Sequence, residues 1–342
     1  MSEFVRDVPI LPGSDRLNEA QAEGFERLQN MTLGQIEEEM PFPRWSFSPN
    51  DSSGLAIRYV DLRASDESDS KKAVINLFPF GNDYTPAMHI RAKLLQDSLP
   101  EDTRLILFPN NTHDERFYSF NRLGQNDAAE ELGHMILKAC KRLGVEEVAI
   151  VGYSQGASVG ANVLRSAQKY DIDTRAAYLG DPADVTDRTP KELKKAFVAG
   201  GLSAVNALNR AINDSGIPAL TEAQLSGGGI DRVRQLIRFA GLSKVAKVRE
   251  NKLLHESMAN DRFFGNVVSA VANGTIDHQG MSVVRMGDSL VCPPVLEEDM
   301  EFEGLGDLLT VVEGYGHEGG DNVLDNAVRA SQVIAGSDFY KI

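Results

Sequence analysis

The sequence predicts an α/β protein: a mostly parallel central sheet, helices on both faces, and a helical cap inserted past the middle of the chain. Three observations predict it. Apolar runs of strand length alternate with helix-compatible stretches between residues 73 and 182, the pattern of a parallel sheet covered on both sides. One run, Val148-Ala149-Ile150-Val151, leads through Gly152-Tyr153-Ser154-Gln155-Gly156 into a stretch that reaches Tyr170 without a proline. The alternation then stops after 186 and resumes at 281.

Residues 1–52 are polar and irregular, with helical patches at 18–28 and 33–40 ahead of Pro41, Pro43 and Trp45. They read as a wrapping segment of the first core part, 1–185. Residues 56–64 alternate apolar and polar side chains, as a strand near a sheet edge does. Strands follow at 73–80, 103–108, 147–153 and 174–179, with helices at 86–99 and 127–143 between them. The last of these strands ends in Gly180-Asp181-Pro182.

Residues 186–277 hold helical stretches, including 191–199, 204–212, 230–239 and 260–272, but no convincing strand, and Gly200-Gly201 and Gly227-Gly228-Gly229 punctuate them. Residues 186–260 carry twelve Lys or Arg against seven Asp or Glu, in a chain whose net charge is −15. This is the expected cap over the carboxyl edge of the sheet. Its charge is either a solvated basic surface or a basic mouth that draws in an anionic substrate. Strands at 281–286 and 308–313 and a helix at 322–334 complete the second core part, 278–342.

Composition removes several function classes. An acidic chain lacks the clustered Lys and Arg that nucleic-acid phosphates require. No run of about 18 apolar residues is present, so no membrane span is expected. Two cysteines, Cys140 and Cys292, do not make a disulfide framework. The start, Met1-Ser2-Glu3-Phe4-Val5-Arg6-Asp7, lacks a basic region followed by an apolar one. A cytoplasmic setting is therefore expected. No cofactor is implied. His113 and Asp114 adjoin, but no further residues recur at metal-ligand spacing.

The chemistry centres on Ser154. Strand, Gly-x-Ser-x-Gly turn and helix in that order form the context of a nucleophile elbow. A P-loop reading fails because no lysine follows the glycines. A serine hydroxyl needs a base, usually a histidine oriented by a carboxylate, and such partners sit at the carboxyl ends of strands. Of the six histidines, His317 follows the last strand directly, whereas His89 and His134 lie in helices, His255 in the cap and His278 ahead of a strand; His113 follows a strand and could approach the site, but it precedes the serine. Asp288, after the penultimate strand, is the expected acid; Asp181 and then Asp184 are the alternatives. The oxyanion donors expected are the main-chain N–H groups of Gln155 and of Asn82, with Phe80 in reserve.

Over about 55–185 and 278–342 these motifs resemble the α/β-hydrolase superfamily: Gly152-Tyr153-Ser154-Gln155-Gly156, Phe80-Gly81-Asn82, Gly287-Asp288 and Gly316-His317, in the family's order. The resemblance implies an α/β-hydrolase fold and a Ser-Asp-His hydrolase acting on a small-molecule ester, thioester or related acyl compound through an acyl-enzyme. Leu179-Gly180-Asp181-Pro182 and Gly287-Asp288-Ser289-Leu290-Val291-Cys292 are similar to the cutinase branch, which includes esterases that cut mycolyl esters. The large cap and the lack of a disulfide partner for Cys292 depart from that branch. Acyl transfer on the same scaffold, and a catalytically inactive binding module, are the competing expectations.

Overall fold

The computed structural model describes residues 19–39, 46–47, 57–62, 70–79, 86–97, 99, 103–108, 128–183, 185–189, 191–193, 195–196, 199, 217–223, 262–313, 317 and 323–340. Eight strands form one sheet: β1 (Ser46–Phe47), β2 (Arg58–Leu62), β3 (Lys72–Leu77), β4 (Arg104–Phe108), β5 (Glu147–Tyr153), β6 (Asp173–Gly180), β7 (Met281–Met286) and β8 (Leu309–Val312). Their spatial order is β1-β2-β4-β3-β5-β6-β7-β8. The pairings from β4 to β8 are parallel, while β1 with β2 and β2 with β4 are antiparallel.

This is the mostly parallel sheet that the alternating pattern predicts. The strand expected at 56–64 lies near its edge, with β1 pairing outside it. Strand β3 ends at Leu77, short of the expected residue 80, where Pro79 has no N–H to extend a ladder. At the opposite edge, β8 is four residues long and only Val312 in it is buried.

Helices cover both faces. Strand side chains alternate between the two sides, so Ile75, Ile150 and Leu179 enter one hydrophobic cluster and Val74, Val151 and Tyr178 the other. Helices α4 (Ala128–Arg142) and α5 (Gln155–Ser166) close the first face; α3 (Pro86–Asp97) and the last helix, α9 (Val323–Gly336), close the second. In α4, Leu132, Met135, Ile136 and Ala139 form the buried stripe. Glu130 and Glu131 in its first turn and Lys141 and Arg142 in its last match the helix dipole. Two further helices, α1 (Glu19–Gln29) and α2 (Leu33–Glu39), precede the sheet, and α8 (Val295–Phe302) links β7 to β8.

Among the described residues, two more helices lie between β6 and β7 in the chain. Helix α6 (Pro218–Ala223) packs on α1, α2 and α3, and Glu222 Oε2 accepts the Leu33 N–H at 3.0 Å. Helix α7 (Phe263–Ala272) lies against α5 in the first face, where Phe263, Val267 and Ala270 are buried. The stretch that leads into β7 therefore joins the core layer. The expected helices at 204–212 and 230–239 lie outside the described residues.

An ion pair between buried Arg104 and largely buried Asp61 fixes the antiparallel edge. Arg104 Nε and Nη2 donate to the two oxygens of Asp61 at 3.2 and 2.5 Å, and Nη1 donates to the Leu143 carbonyl at 2.8 Å. These bonds join β4, β2 and the end of α4. Burial pushes the Cys140 thiol up to about 12, so it packs as an unreactive apolar group. Breaking a buried pair strands one charge, so Asp61→Ala is expected to cost about 3–5 kcal/mol in urea denaturation. Lys71→Ala, which removes the exposed pair with Glu146, is expected to cost about 0–1 kcal/mol. Equal losses would refute this account of the edge.

Candidate active site

Ser154 stands between β5 and α5 with φ 57° and ψ −124°. This is a strained conformation for a residue with a side chain. The turn is tight because the flanking glycines are in close contact with main chain. A Cβ on Gly152 would collide with the Gly156 carbonyl, and one on Gly156 with the Leu77 carbonyl at the end of β3. The Ser154 N–H donates across to the Gly180 carbonyl of β6 at 2.8 Å. Two neighbouring strands thus hold the turn in place.

His317 is buried beside it. Its Nε2 lies 2.9 Å from Ser154 Oγ, and its Nδ1 lies 2.5 Å from Asp181 Oδ2. Asp181 is fully buried at the end of β6, with φ 43°, in the left-handed region that aspartate tolerates better than most residues. Its N–H donates to the Val284 carbonyl at 2.6 Å. Its Oδ1 accepts the Met286 N–H at 2.8 Å, and its Oδ2 also accepts the Ser289 hydroxyl at 2.6 Å. With Asp181 as acceptor, Nδ1 carries the imidazole proton and Nε2 faces Ser154 with its lone pair.

Asp288 is the acid expected from the sequence, whereas the carboxylate facing His317 is Asp181. The Ser289 N–H donates to the Met286 carbonyl at 2.9 Å, closing a turn with Gly287 and Asp288 at its corner. Asp288 is therefore exposed, while Ser289 points inward. Sheet order gives the deeper reason. His317 follows β8 and has to reach back past β7 and β6 to the end of β5. Asp181, ending the strand beside β5, lies on that path.

The other residues singled out from sequence fall elsewhere. Gln155 opens α5 directly after Ser154 and is buried. Asn82, Phe80, Asp184, His113, Asp114 and His255 lie outside the described residues. His89 is buried in α3. His134 meets the Tyr170 hydroxyl at 3.0 Å, and burial lowers its pKa. His278 pairs with Asp307 at 2.7 Å. Two residues were missed. Ser289 holds Asp181 and accepts the Cys292 N–H at 3.0 Å, and Tyr153 donates to the His317 carbonyl at 2.6 Å. Their sequence signal was adjacency: each stands next to a residue chosen for chemistry.

Cys140 and Cys292 are both buried thiols. Among the described residues, no three His, Cys, Asp or Glu side chains group so as to hold a metal, and no helix is long and apolar enough to cross a membrane.

No protein-family model and no curated protein sequence matches the chain. Solved structures do. A hydrolase from Pseudomonas aeruginosa PA01 aligns with a TM-score of 0.50 at 14% identity, over 87% of this chain and 99% of that one. A membrane phospholipase A described as a bacterial virulence factor aligns with a TM-score of 0.52 at 13% identity, over 92% and 91%. A carboxylesterase structure from the thaumarchaeon Nitrososphaera gargenis gives 0.45 at 14%, over 80% and 91%. At these identities the likeness to the first two is one of fold.

The glycine geometry is directly testable. Gly156→Ala is expected to lose about 1–3 kcal/mol or more, the cost of overpacking against main chain. Gly265→Ala, at an open position in α7, is expected to gain about 0.5–1 kcal/mol from helix propensity. Thermal melts of the two variants should therefore move in opposite directions.

Proposed function

We propose that this chain, which has the α/β-hydrolase fold, hydrolyses a carboxylic ester or thioester through an acyl-enzyme on Ser154, with His317 as base and Asp181 as the orienting acid. The observation that carries the reading is the unbroken relay Ser154 Oγ to His317 Nε2, then His317 Nδ1 to Asp181, at 2.9 and 2.5 Å. His317 takes the hydroxyl proton as Oγ bonds to the acyl carbon. The carbonyl electrons move onto oxygen, and the Gln155 main-chain N–H at the start of α5 is assigned to hold that charge. Asn82, which follows β3 in the sequence, is assigned as the second donor. The packing of Gly156 against Leu77 brings the end of β3 to the start of α5, which supports that assignment.

Collapse of the tetrahedral adduct breaks the bond to the alcohol or thiol, and His317 returns its proton to the leaving group. Water then repeats the cycle. It loses a proton to His317, attacks the acyl-serine and frees the acid. Throughout, Asp181 fixes the tautomer and balances the imidazolium charge.

Turnover of p-nitrophenyl butyrate should fall about 10,000-fold or more in Ser154→Ala. Activity that survives this change would falsify the reading. The two carboxylates separate cleanly: Asp181→Asn is expected to lose about 10,000-fold in kcat, whereas Asp288→Asn stays near the parent. The reverse ranking would return the acid to the 287–289 turn.

A further inference from the structure

His317 is held within the proton relay and also by a bond that lies outside it. Asp181 holds the imidazole at Nδ1, its far side. The main chain of the same residue is held by Tyr153, whose hydroxyl donates to the His317 carbonyl at 2.6 Å. Tyr153 is the last residue of β5 and directly precedes Ser154. Its ring is buried, with its centroid 5.5 Å from the imidazole and its plane tilted by 35°. The ring reaches that place across Gly180 of β6, where a Cβ would come within 2.7 Å of Tyr153 Cδ2. A bare glycine at the end of β6 thus opens a path from β5 to the histidine.

We propose that Tyr153 is a positioning residue for the reaction: its hydroxyl fixes the backbone of His317 so that Nε2 stays within bonding reach of Ser154 Oγ. The proposal rests on the hydrolase reading above. A ring pinned at Nδ1 alone can pivot about that point and carry Nε2 away from the serine. Pinning the carbonyl as well removes the pivot. Because the anchor and the nucleophile are consecutive residues, movement at the end of β5 shifts both together and leaves their separation unchanged.

Tyr153→Phe keeps the ring and removes the donor. The test is kcat per active site, with sites counted by fluorophosphonate titration so that unfolded chains do not contribute. A misplacement near 1 Å costs about 100-fold, so kcat per site is expected to fall roughly 10- to 100-fold, with KM unchanged. Incorporating 4-aminophenylalanine at 153 restores an N–H donor and should recover most of the loss. A fall in titratable sites at parental kcat per site would make the hydroxyl a stability element and overturn the proposal. So would a matched change in KM, or a 4-aminophenylalanine variant no better than Tyr153→Phe. Ser154→Ala, run in parallel, separates the two levels. If it is inactive while Tyr153→Phe turns over normally, only the positioning role is lost; if it is active, both readings fall.

Discussion

Everything at the carboxyl end of the sheet depends on how one buried carboxylate is satisfied. Asp181 is sealed from water and accepts from Met286, Ser289 and His317. An ionised carboxylate in such a place is tolerable only when donors converge on it. The three donors come from the end of β7, from the turn after it and from the residue beyond β8. The same hydrogen bonds that make Asp181 tolerable therefore gather the separate strand ends into one arrangement. The left-handed backbone of Asp181 and its N–H bond to Val284 aim the side chain into that convergence.

The second constraint is the strained turn at Ser154, which the sheet imposes from both sides. On one side the end of β3 leaves no room for a side chain at residue 156; on the other the Gly180 carbonyl takes the Ser154 N–H. Strain of this kind persists only where surroundings over-determine it. Here they are two parallel neighbours whose registers with β5 run almost the length of the strands. The core built from alternating strand residues and from α4, α5, α3 and α9 thus acts on the site through strand position.

Much of this was legible in the sequence, for reasons that are local. Val148 to Gly156 announces a strand and a constrained turn because glycine spacing and apolar composition are local properties. The heptad-like stripe Leu132, Met135, Ile136 and Ala139 announces α4 in the same way. His317 could be chosen by its position after the last strand. The choice between Asp181 and Asp288 could not be made so easily, since each follows a strand and each carries Gly before it. What separates them is which strand lies beside β5 and which corner of a turn faces water, and both are properties of the assembled sheet. Strand β1 was illegible because two residues make no period. Helix α7 read as a helix, but sequence could not say that Phe263, Val267 and Ala270 would settle on α5.

The brevity of the two outer strands has a consequence for how molecules meet one another. An unpaired strand is a template on which a passing chain can add itself, one ladder rung at a time. With two residues in β1 and four in β8, each described margin offers few rungs to copy. The long, strongly paired strands sit in the interior of the sheet, where no stranger's backbone can reach them.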